Sequence, residues 1–344
     1  MPKFGVIGAG KWGQIHAKVY AEDPSSELVA VCDEDEGKAR SVAERFGARW
    51  FLDYREMLEE VEVDAVSVAT PDFLHFEPTM AAIEAGKHVL VEKPLAMEIS
   101  QCEEMISAAE RKGLILMVDF HNRWNPPFAL AKDAIGSGEI GDVIYIYSRL
   151  SDTIFVPTKM LGWAGKSSVL WFLGSHVVDL LLWLLDDFPV KVSAIKKEVV
   201  LKSLGIDTPD LFVSFMEFPK GTVAVMENSW ILPEGEPNVF DMKFEIIGSK
   251  GRICIDTSHH GAFSKSTADG ISFPDIMAVP QIHGKAVGFA VESIRHFVEC
   301  VSCGKRPLVC GEDGLRATRV LKAIESSSRS QCGSGWERVE VQPR

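Results

Sequence analysis

The sequence is poor in the features that mark a nucleic-acid or membrane protein. Its 36 Lys and Arg are outnumbered by 49 Asp and Glu, which gives a net charge of −13 at pH 7. Such a chain repels a phosphate backbone and an anionic membrane, so we expect neither as a partner. The longest apolar run, at residues 177–185, is interrupted by Asp179 and is too short for a membrane span. No basic segment leads into an apolar stretch at the start, so we expect a cytoplasmic protein.

Cysteine is scarce as well, with seven residues scattered along the chain. An odd, dispersed set indicates reduced thiols and not a disulfide framework. Cys300, Cys303 and Cys310 resemble half of a zinc site, but no second Cys or His pair stands at a supporting spacing. Because Cys300 also fits an apolar helix face, we expect it to pack in the interior and no metal to be bound.

Internal repeats and low-complexity tracts are absent too, so nothing indicates a solenoid or a long linker. The composition, 46% apolar and 25% charged, is ordinary for a globular protein. At 344 residues the chain is too long for one small core. We expect two domains, residues 1–120 and 121–344.

The first residues contain a pattern that predicts nucleotide binding. A short apolar run at 4–7 leads directly into Gly8-Ala9-Gly10-Lys11-Trp12-Gly13 and then into a helical pattern. Gly8 would permit a tight turn, Gly10 would let backbone N–H groups approach a pyrophosphate, and Gly13 would let the helix pack closely on its strand. Glycine-rich turns also occur without a ligand, but this order of strand, glycines and helix favours a dinucleotide.

A second strand, at 28–32, ends in an acid at the spacing that such a site needs. Asp33 follows Gly13 by 33 − 13 = 20 residues. A carboxylate accepts hydrogen bonds from a ribose diol but repels a 2′-phosphate, at a cost of roughly 4 kcal/mol for charges about 4 Å apart at an effective dielectric constant near 20. Glu34 and Asp35 add to this repulsion, so we expect NAD, with NADP less favoured.

The alternation of strand and helix patterns up to residue 118 predicts a doubly wound parallel sheet. Strand-like runs occupy 4–7, 28–32, 65–68, 88–91 and 114–118, and helical spacing occupies 35–46, 75–85 and 99–112. The ligand of such a sheet lies across the carboxyl ends of its strands. Thr70-Pro71 and Glu92-Lys93-Pro94 emerge at those ends.

Beyond residue 121 the pattern changes to longer strands joined by hairpin signals, which predicts a large open, mostly antiparallel or mixed sheet. We expect strands at 143–148, 192–200, 211–218, 222–230, 240–247 and 251–256. Helical patterns at 167–185, 287–303 and 312–328 are expected to cover one face, which leaves the other for a second subunit. Residues 257–285 lack periodicity and are expected to form a long loop or arm.

Two residues are candidates for acid–base chemistry. Lys93 ends a buried strand at the ligand edge, where we expect an exposed amine that either binds a substrate hydroxyl or is simply solvated. The following Pro94 would fix the backbone, and its peptide bond could be cis. His176 lies in an otherwise apolar helix pattern, where it is either a core residue or a catalyst that Asp179 could orient.

These motifs together resemble the glucose–fructose oxidoreductase, inositol dehydrogenase and MocA (Gfo/Idh/MocA) family. The resemblance covers nearly the whole chain and rests on the glycine turn, on Glu92-Lys93-Pro94 and on the histidine helix 174–179. It implies a Rossmann domain, a C-terminal α/β domain that often builds dimers or tetramers, and oxidation of a secondary hydroxyl of a sugar, cyclitol or sugar derivative, or the reverse reduction. It also implies site residues. Lys93 and His176 match the family's catalytic lysine and histidine, while Thr70, Pro71, His75, Glu92 and Asn122 match positions that line the cofactor or the cleft.

The chain departs from the family pattern at Phe172. Inositol-dehydrogenase-like members carry an aspartate four residues before the catalytic histidine, and phenylalanine cannot bind a hydroxyl as that carboxylate does. Either His176 suffices beside an apolar wall, or Asp179, Asp152 or His121 replaces the carboxylate, or turnover has been lost and the protein is a sugar and NAD sensor. A redox-neutral glycoside hydrolase is a further alternative within the family.

Substrate contacts are indicated only weakly. Arg123 and Arg149 place positive charge where the cleft is expected, which would suit an anionic substrate, although each also reads as a surface residue. Trp163 could stack on a sugar ring, or could belong to the core. The expected substrate-binding set is therefore Lys93, Arg123, Trp163, Phe172 and His176.

Overall fold

The chain forms two compact units. The computed structural model describes residues 1–258, 261–268 and 270–329 and the backbone of 337–338. One unit comprises Met1–Trp124 and Met277–Leu315, and the other comprises Asn125–Ile276 and the chain from Arg316 onward. The segment 277–315 thus packs with the N-terminal unit, although the sequence division into 1–120 and 121–344 assigns it to the second domain.

The first unit contains a parallel sheet, as predicted, and it has six strands because residues 49–51, which were not predicted as a strand, add one. Its strands are β1 (Lys3–Ile7), β2 (Glu27–Cys32), β3 (Arg49–Phe51), β4 (Ala65–Val68), β5 (His88–Val91) and β6 (Leu116–Val118). The strand order is β3-β2-β1-β4-β5-β6, so the direction of winding reverses between β1 and β4. A ligand site is expected at the carboxyl ends of these two strands.

Five helices connect these strands. They are α1 (Lys11–Glu22), α2 (Glu36–Phe46), α3 (Tyr54–Glu60), α4 (Phe76–Glu84) and α5 (Ile99–Lys112). Helix α2 begins where the Asp35 carboxylate accepts a hydrogen bond from the N–H of Lys38, and it ends at Gly47 in the left-handed conformation. The strands between them read as continuous apolar runs because helices cover both faces of the sheet.

The second unit contains a seven-stranded mixed sheet, again as predicted. Its strands are β7 (Val143–Asp152), β8 (Lys191–Lys197), β9 (Leu211–Glu217), β10 (Val223–Ser229), β11 (Phe240–Gly248), β12 (Arg252–Asp256) and β17 (Glu337–Arg338). Strands β7 and β10 pair in parallel, and the other pairs are antiparallel. Helices α6 (Pro126–Gly136), α7 (Ser175–Leu185) and α8 (Val200–Ser203) belong to the same unit.

The predicted strand at 192–200 extends further at its C-terminal end than the strand in the structure. Strand β8 stops at Lys197, and residues 200–203 form α8. The buried carboxylate of Asp210 accepts hydrogen bonds from the N–H groups of Val199, Val200 and Leu201, which satisfies the first turn of this helix. The sequence pattern gave no sign of that distant capping group.

One of the three helices expected on the C-terminal sheet lies elsewhere. Helix α9 (Phe289–Cys303) packs against α1 in the first unit, and the ring of its Phe297 lies 5.9 Å from that of Phe4 in β1. The prediction that residues 287–303 form a helix was therefore right, but the prediction that this helix covers the C-terminal sheet was wrong. Helix α10 (Gly311–Arg329) does reach the second sheet, since Ser327 accepts a hydrogen bond from the N–H of Ala194.

The segment 257–285 is less irregular than expected. It contains two short hairpins, β13 (Lys265–Thr267) with β14 (Gly270–Ser272) and β15 (Gln281–Ile282) with β16 (Lys285–Ala286). Residues 259, 260 and 269 of this segment lie outside the described residues, as does Cys332. Among the described helices, none has the length and apolar character that crossing a membrane requires. Cys300 is buried, as expected.

Candidate active site

The glycine turn between β1 and α1 leaves space at one position only. Gly8 has a φ of +96°, and a Cβ atom there would stand 2.6 Å from the carbonyl oxygen of Ala69. A Cβ atom on Gly13 would overlap the carbonyl oxygen of Gly8. Beside Gly10, no described atom lies within 4 Å of the added Cβ position. Gly8 and Gly13 are therefore required by the backbone path, whereas Gly10 borders open space that a pyrophosphate could fill.

The start of α1 offers backbone donors to a ligand. Gly10 precedes the helix and supplies no side-chain cap. The first-turn N–H groups have no partner within an α-helix, and together with the helix dipole they favour an anion. Lys11 is exposed at this end, while the ring of Trp12 stacks on His121 at a centroid distance of 4.9 Å. Trp12 thus packs beside the glycine turn, stacked on the ring of His121.

Asp33 is held beside the glycine turn. One carboxylate oxygen accepts a hydrogen bond from the N–H of Ala9 at 2.7 Å, and the other accepts one from the N–H of Asp35 at 2.9 Å. Each oxygen retains a lone pair for a hydroxyl group of a ribose. The residues present therefore fit NAD, which would lie along the turn with its ribose at Asp33.

His75 connects two of the predicted turns. Its Nδ1 lies 2.6 Å from the carbonyl oxygen of Pro94, and its Nε2 lies 3.0 Å from that of Thr70. Burial lowers the pKa of His75. Carbonyl oxygens accept hydrogen bonds, so a ring nitrogen that carries a hydrogen donates it to the carbonyl oxygen that it faces. Pro71, next to Thr70, is half-buried at the same edge.

Lys93 is buried, with 6% of its surface exposed, so the expectation of an exposed amine was wrong. The Lys93–Pro94 peptide bond is cis. The preceding side chain, Glu92, turns into the interior, where its Oε1 lies 3.1 Å from Nε2 of His16. The sequence reading missed His16, because nothing in its neighbourhood links it to a residue 92 − 16 = 76 positions away.

His16, Glu92 and Asp119 form a compact buried group. Their ligand-type atoms all lie within 4.8 Å of one another. Burial raises the pKa of Asp119, but His121 and His16 outweigh it and lower that pKa overall. A metal bound at Nε2 of His16 would have to replace the hydrogen that this nitrogen offers to Glu92. The distances fit a hydrogen bond between His16 and Glu92, with a carboxylate oxygen of Asp119 3.6 Å from Nε2 of His16.

The cations expected near the substrate are paired with acids. Arg123 lies 3.0 Å from Asp313, and Arg149 contacts Glu227 at 3.1 Å and Asp241 at 3.0 Å. Asn122, beside Arg123, is buried. These pairs give the arginines a structural role, and substrate binding by Arg123 stays a prediction.

In the second unit, His176 lies in the first turn of α7 and is buried. A wider helical turn, Leu170–Gly174, leads into α7 and carries Phe172. The ring of Phe172 is half-buried and contacts Trp163 at 6.0 Å and Trp230 at 5.7 Å between centroids. Trp163 was predicted as a site residue, but Trp230 was not. Trp230 directly follows β10, and its neighbours in sequence do not indicate that its ring contacts Phe172.

Comparison with known proteins matches the chain in two parts. A family model described as "Oxidoreductase family, NAD-binding Rossmann fold" matches residues 2–120, and one described as "Oxidoreductase family, C-terminal alpha/beta domain" matches residues 132–333. The scyllo-inositol 2-dehydrogenase (NAD(+)) of Bacillus subtilis (strain 168) is 31% identical over 330 residues, which cover 94% of this chain and 93% of that protein.

Two further similarities agree with the family models. The D-glucoside 3-dehydrogenase of Escherichia coli (strain K12) is 31% identical over 260 residues, covering 70% of this chain and 73% of that protein. The crystal structure of GenD2 from gentamicin A biosynthesis in complex with NAD superposes with a TM-score of 0.82 at 25% identity, covering 96% of this chain and 94% of that one.

Proposed function

Because this chain belongs to the Gfo/Idh/MocA family of oxidoreductases, we propose that it is an NAD-dependent dehydrogenase that acts on a secondary hydroxyl of a sugar, cyclitol or sugar derivative. One observation carries the proposal. The glycine turn with its open space at Gly10 and the buried Lys93 both lie at the carboxyl ends of one parallel sheet. The inositol and glucoside dehydrogenases among its relatives support the substrate class.

Each candidate residue has a defined task in this reaction. NAD⁺, when bound, supplies the hydride acceptor. The amino group of Lys93 holds the substrate oxygen, and the imidazole of His176 accepts the hydroxyl proton as the carbinol carbon is oxidised. Lys93 belongs to the first unit and His176 to the second, so their approach to one substrate is part of the proposal. The reverse reduction uses the same groups with the proton returned.

We propose a neutral substrate. Arg123 and Arg149 are engaged by carboxylates, and Lys159 lies 2.8 Å from Glu234. These pairs already balance the charge that would recognise a carboxylate or phosphate on the substrate. Neutral sugars and cyclitols are therefore favoured over sugar acids and sugar phosphates.

The function is tested by incubating the protein with NAD⁺ and a panel of scyllo-inositol, myo-inositol, methyl glucosides, amino sugars and sugar acids. Net formation of NADH with a neutral member supports the dehydrogenase. Glycoside cleavage without net NADH would indicate the redox-neutral hydrolase, and binding without either would indicate the sensor. Both of those outcomes contradict the proposal.

The catalytic roles are tested by Lys93→Ala and His176→Ala. Loss of a positioned acid–base group typically lowers the rate by 10²- to 10⁴-fold, so we expect each variant to lose at least about a hundredfold in kcat while still binding NAD. Lys87, which precedes the opposite end of β5, offers a matched control. Lys87→Ala is expected to retain kcat within about twofold. Near-normal turnover in Lys93→Ala or His176→Ala would remove that residue from the mechanism.

Assembly through the open face of the second sheet is also part of the proposal. Tyr147, Val225 and Phe215 lie side by side on this face across β7, β10 and β9, and Phe215 is 44% exposed. An apolar row of this kind fits a homodimer or homotetramer. Phe215→Glu is expected to shift the protein to a smaller species in analytical ultracentrifugation, whereas an unchanged mass would exclude this face as the interface.

A cytoplasmic location is proposed as well. The described cysteines are free thiols, which a reducing compartment maintains. Cell fractionation with an antibody to the protein would test this location, and recovery outside the cytoplasmic fraction would contradict it.

A further inference from the structure

A buried histidine in helix α1 contacts the turn that carries Lys93. His16 has no exposed surface. Its Nδ1 lies 2.8 Å from the hydroxyl of Ser67 on β4, and its Nε2 lies 3.1 Å from the carboxylate of Glu92, which follows β5. One imidazole thus joins the nucleotide-binding helix to the strand end that leads directly into Lys93.

The hydrogen-bond partners fix the tautomer of His16. An ionised carboxylate only accepts hydrogen bonds, so Nε2 carries the hydrogen and donates it to Glu92. The hydroxyl of Ser67 also contacts the hydroxyl of Tyr20, and burial raises the pKa of that phenol so that it stays protonated. Tyr20 can donate to Ser67, and Ser67 can donate to Nδ1. Each ring nitrogen of His16 thus faces a hydrogen-bond partner.

A second imidazole holds the other side of Lys93. His75, in the turn after β4, places Nδ1 2.6 Å from the carbonyl oxygen of Pro94. His75 and Pro94 are both buried, so water does not compete for this contact. Lys93 therefore stands between two neighbours, Glu92 and Pro94, each of which is tied to its own histidine.

We propose that His16 and His75 are positioning residues that hold the chain on both sides of Lys93 and thereby set where its amino group lies during hydride transfer. This inference rests on the proposed function, in which Lys93 binds the reacting oxygen. A displacement of about 1 Å at a reacting group can cost about a hundredfold in rate. Because His16 follows Gly13 on the same helix, the histidine also relates the lysine to the glycine turn where the nucleotide is expected.

The test compares His16→Ala and His75→Ala with His16→Gln, which keeps an N–H donor and an acceptor oxygen. The measurements are kcat, KM for NAD⁺ and the primary deuterium isotope effect, with whichever neutral panel sugar is turned over, normalised to the fraction of protein that binds NAD. We expect each alanine variant to lose at least about tenfold in kcat, with KM for NAD⁺ within about threefold. The isotope effect on kcat should rise, because hydride transfer becomes slower relative to product release. His16→Gln should recover part of the loss.

His88 supplies a matched control at the other end of the same strand. Its Nδ1 accepts a hydrogen bond from the N–H of Ile115 at 2.9 Å, so it also ties β5 to its neighbour. His88→Ala is expected to lower the melting temperature but to leave kcat within about twofold and the isotope effect unchanged. A role of His16 in stability alone would make its alanine variant behave in the same way.

The outcomes separate this inference from the proposed function. If Lys93→Ala loses turnover while His16→Ala and His75→Ala keep kcat and the isotope effect, the positioning role is overturned and the proposed function stands. If Lys93→Ala keeps its turnover, or no panel sugar reacts, the proposed function fails first. Should His16→Ala not fold, Tyr20→Phe removes only the hydroxyl that contacts Ser67, whose own hydroxyl faces Nδ1 of His16. An unchanged isotope effect in Tyr20→Phe would then overturn the inference.

Discussion

The carbonyl oxygen of Gly8 occupies the place that a Cβ atom on Gly13 would take. This contact lets α1 start directly above β1, and it makes Gly13 a structural residue of the turn. Gly10 has no comparable neighbour among the described residues. The two glycines should therefore respond differently to the same small substitution.

We expect Gly13→Ala to destabilise the protein and Gly10→Ala to leave its stability nearly unchanged while weakening NAD binding. Displacing the Gly8 backbone should cost about 2–4 kcal/mol, since overpacking costs typically 1–3 kcal/mol and backbone atoms yield less than side chains. Thermal denaturation with and without NAD measures both effects. Tight NAD binding by a stable Gly10→Ala variant would show that the pyrophosphate does not lie beside this residue.

The fold could be predicted in this detail because both sheets follow local rules. In the first unit the strand runs and the glycine turn are contiguous in sequence, so the periodicity of a few residues determines each element. The prediction failed for those elements whose position or type depends on a residue far away in sequence. Helix α8 depends on the carboxylate of Asp210, and the placement of α9 depends on packing of Phe297 against Phe4. No local pattern encodes such contacts.

Asp33 is expected to determine the choice between NAD and NADP. Its two oxygens are oriented by the N–H groups of Ala9 and Asp35, so the negative charge is fixed where a ribose hydroxyl would lie. Asp33→Asn removes that charge and replaces one acceptor oxygen with a donor. We expect the ratio of NADP to NAD affinity to rise at least about tenfold, which corresponds to about 1.4 kcal/mol.

Titration of both cofactors by tryptophan fluorescence measures this ratio. Glu34→Gln is a suitable control because Glu34 is exposed and adjacent, yet it removes the same charge. A comparable change in the control would mean that the general negative potential, and not Asp33, disfavours the 2′-phosphate. Preference of the unaltered protein for NADP would contradict the assignment of NAD altogether.

The pair of Arg123 and Asp313 should make stability sensitive to acid. Burial raises the pKa of Asp313, but the Arg123 guanidinium and hydrogen bonds from Cys310 outweigh it and hold this pKa below its usual range. A carboxyl group with a lowered pKa in the folded state contributes stability above its unfolded pKa and loses it as the pH falls through the folded value. The contribution is therefore complete at neutral pH and declines below about pH 4.

Melting temperatures of the unaltered protein and of Asp313→Asn measure this contribution. We expect the variant to be less stable near neutral pH, with the difference narrowing as the pH falls below about 4. Asp35→Asn, at an exposed helix cap, offers a control with a smaller effect. A difference that stays constant with pH would show that the charge of Asp313 does not stabilise the fold.

The site was only partly predictable for a similar physical reason. Lys93 and the glycine turn belong to contiguous motifs, so their importance could be recognised. His16 contacts Ser67 and Glu92, which are 51 and 76 residues away, and its own neighbours in sequence are those of an ordinary helix. The pairing of the arginines could not be predicted either, because Asp313, the partner of Arg123, lies 190 residues further along the chain.

Phe172 is expected to restrict the substrate on its side of the site. Phe172 lies four residues before His176. Its ring contacts Trp163 and Trp230, and the three rings form an aromatic wall. Such a wall suits the apolar face of a sugar ring and gives a hydroxyl group no partner. We therefore expect Phe172→Asp to raise the ratio of kcat/KM for myo-inositol to that for a methyl glucoside by about tenfold.

The same substitution should cost stability, because a carboxylate replaces a half-buried ring between two tryptophans. A loss of about 1–3 kcal/mol is expected, and Phe172→Leu, which keeps an apolar side chain, separates this effect from specificity. Competition between the two substrates in one reaction gives the ratio independently of the active fraction. If the ratio is the same in the aspartate and leucine variants, Phe172 does not contact the substrate, and the apolar contact inferred from its wall loses its support.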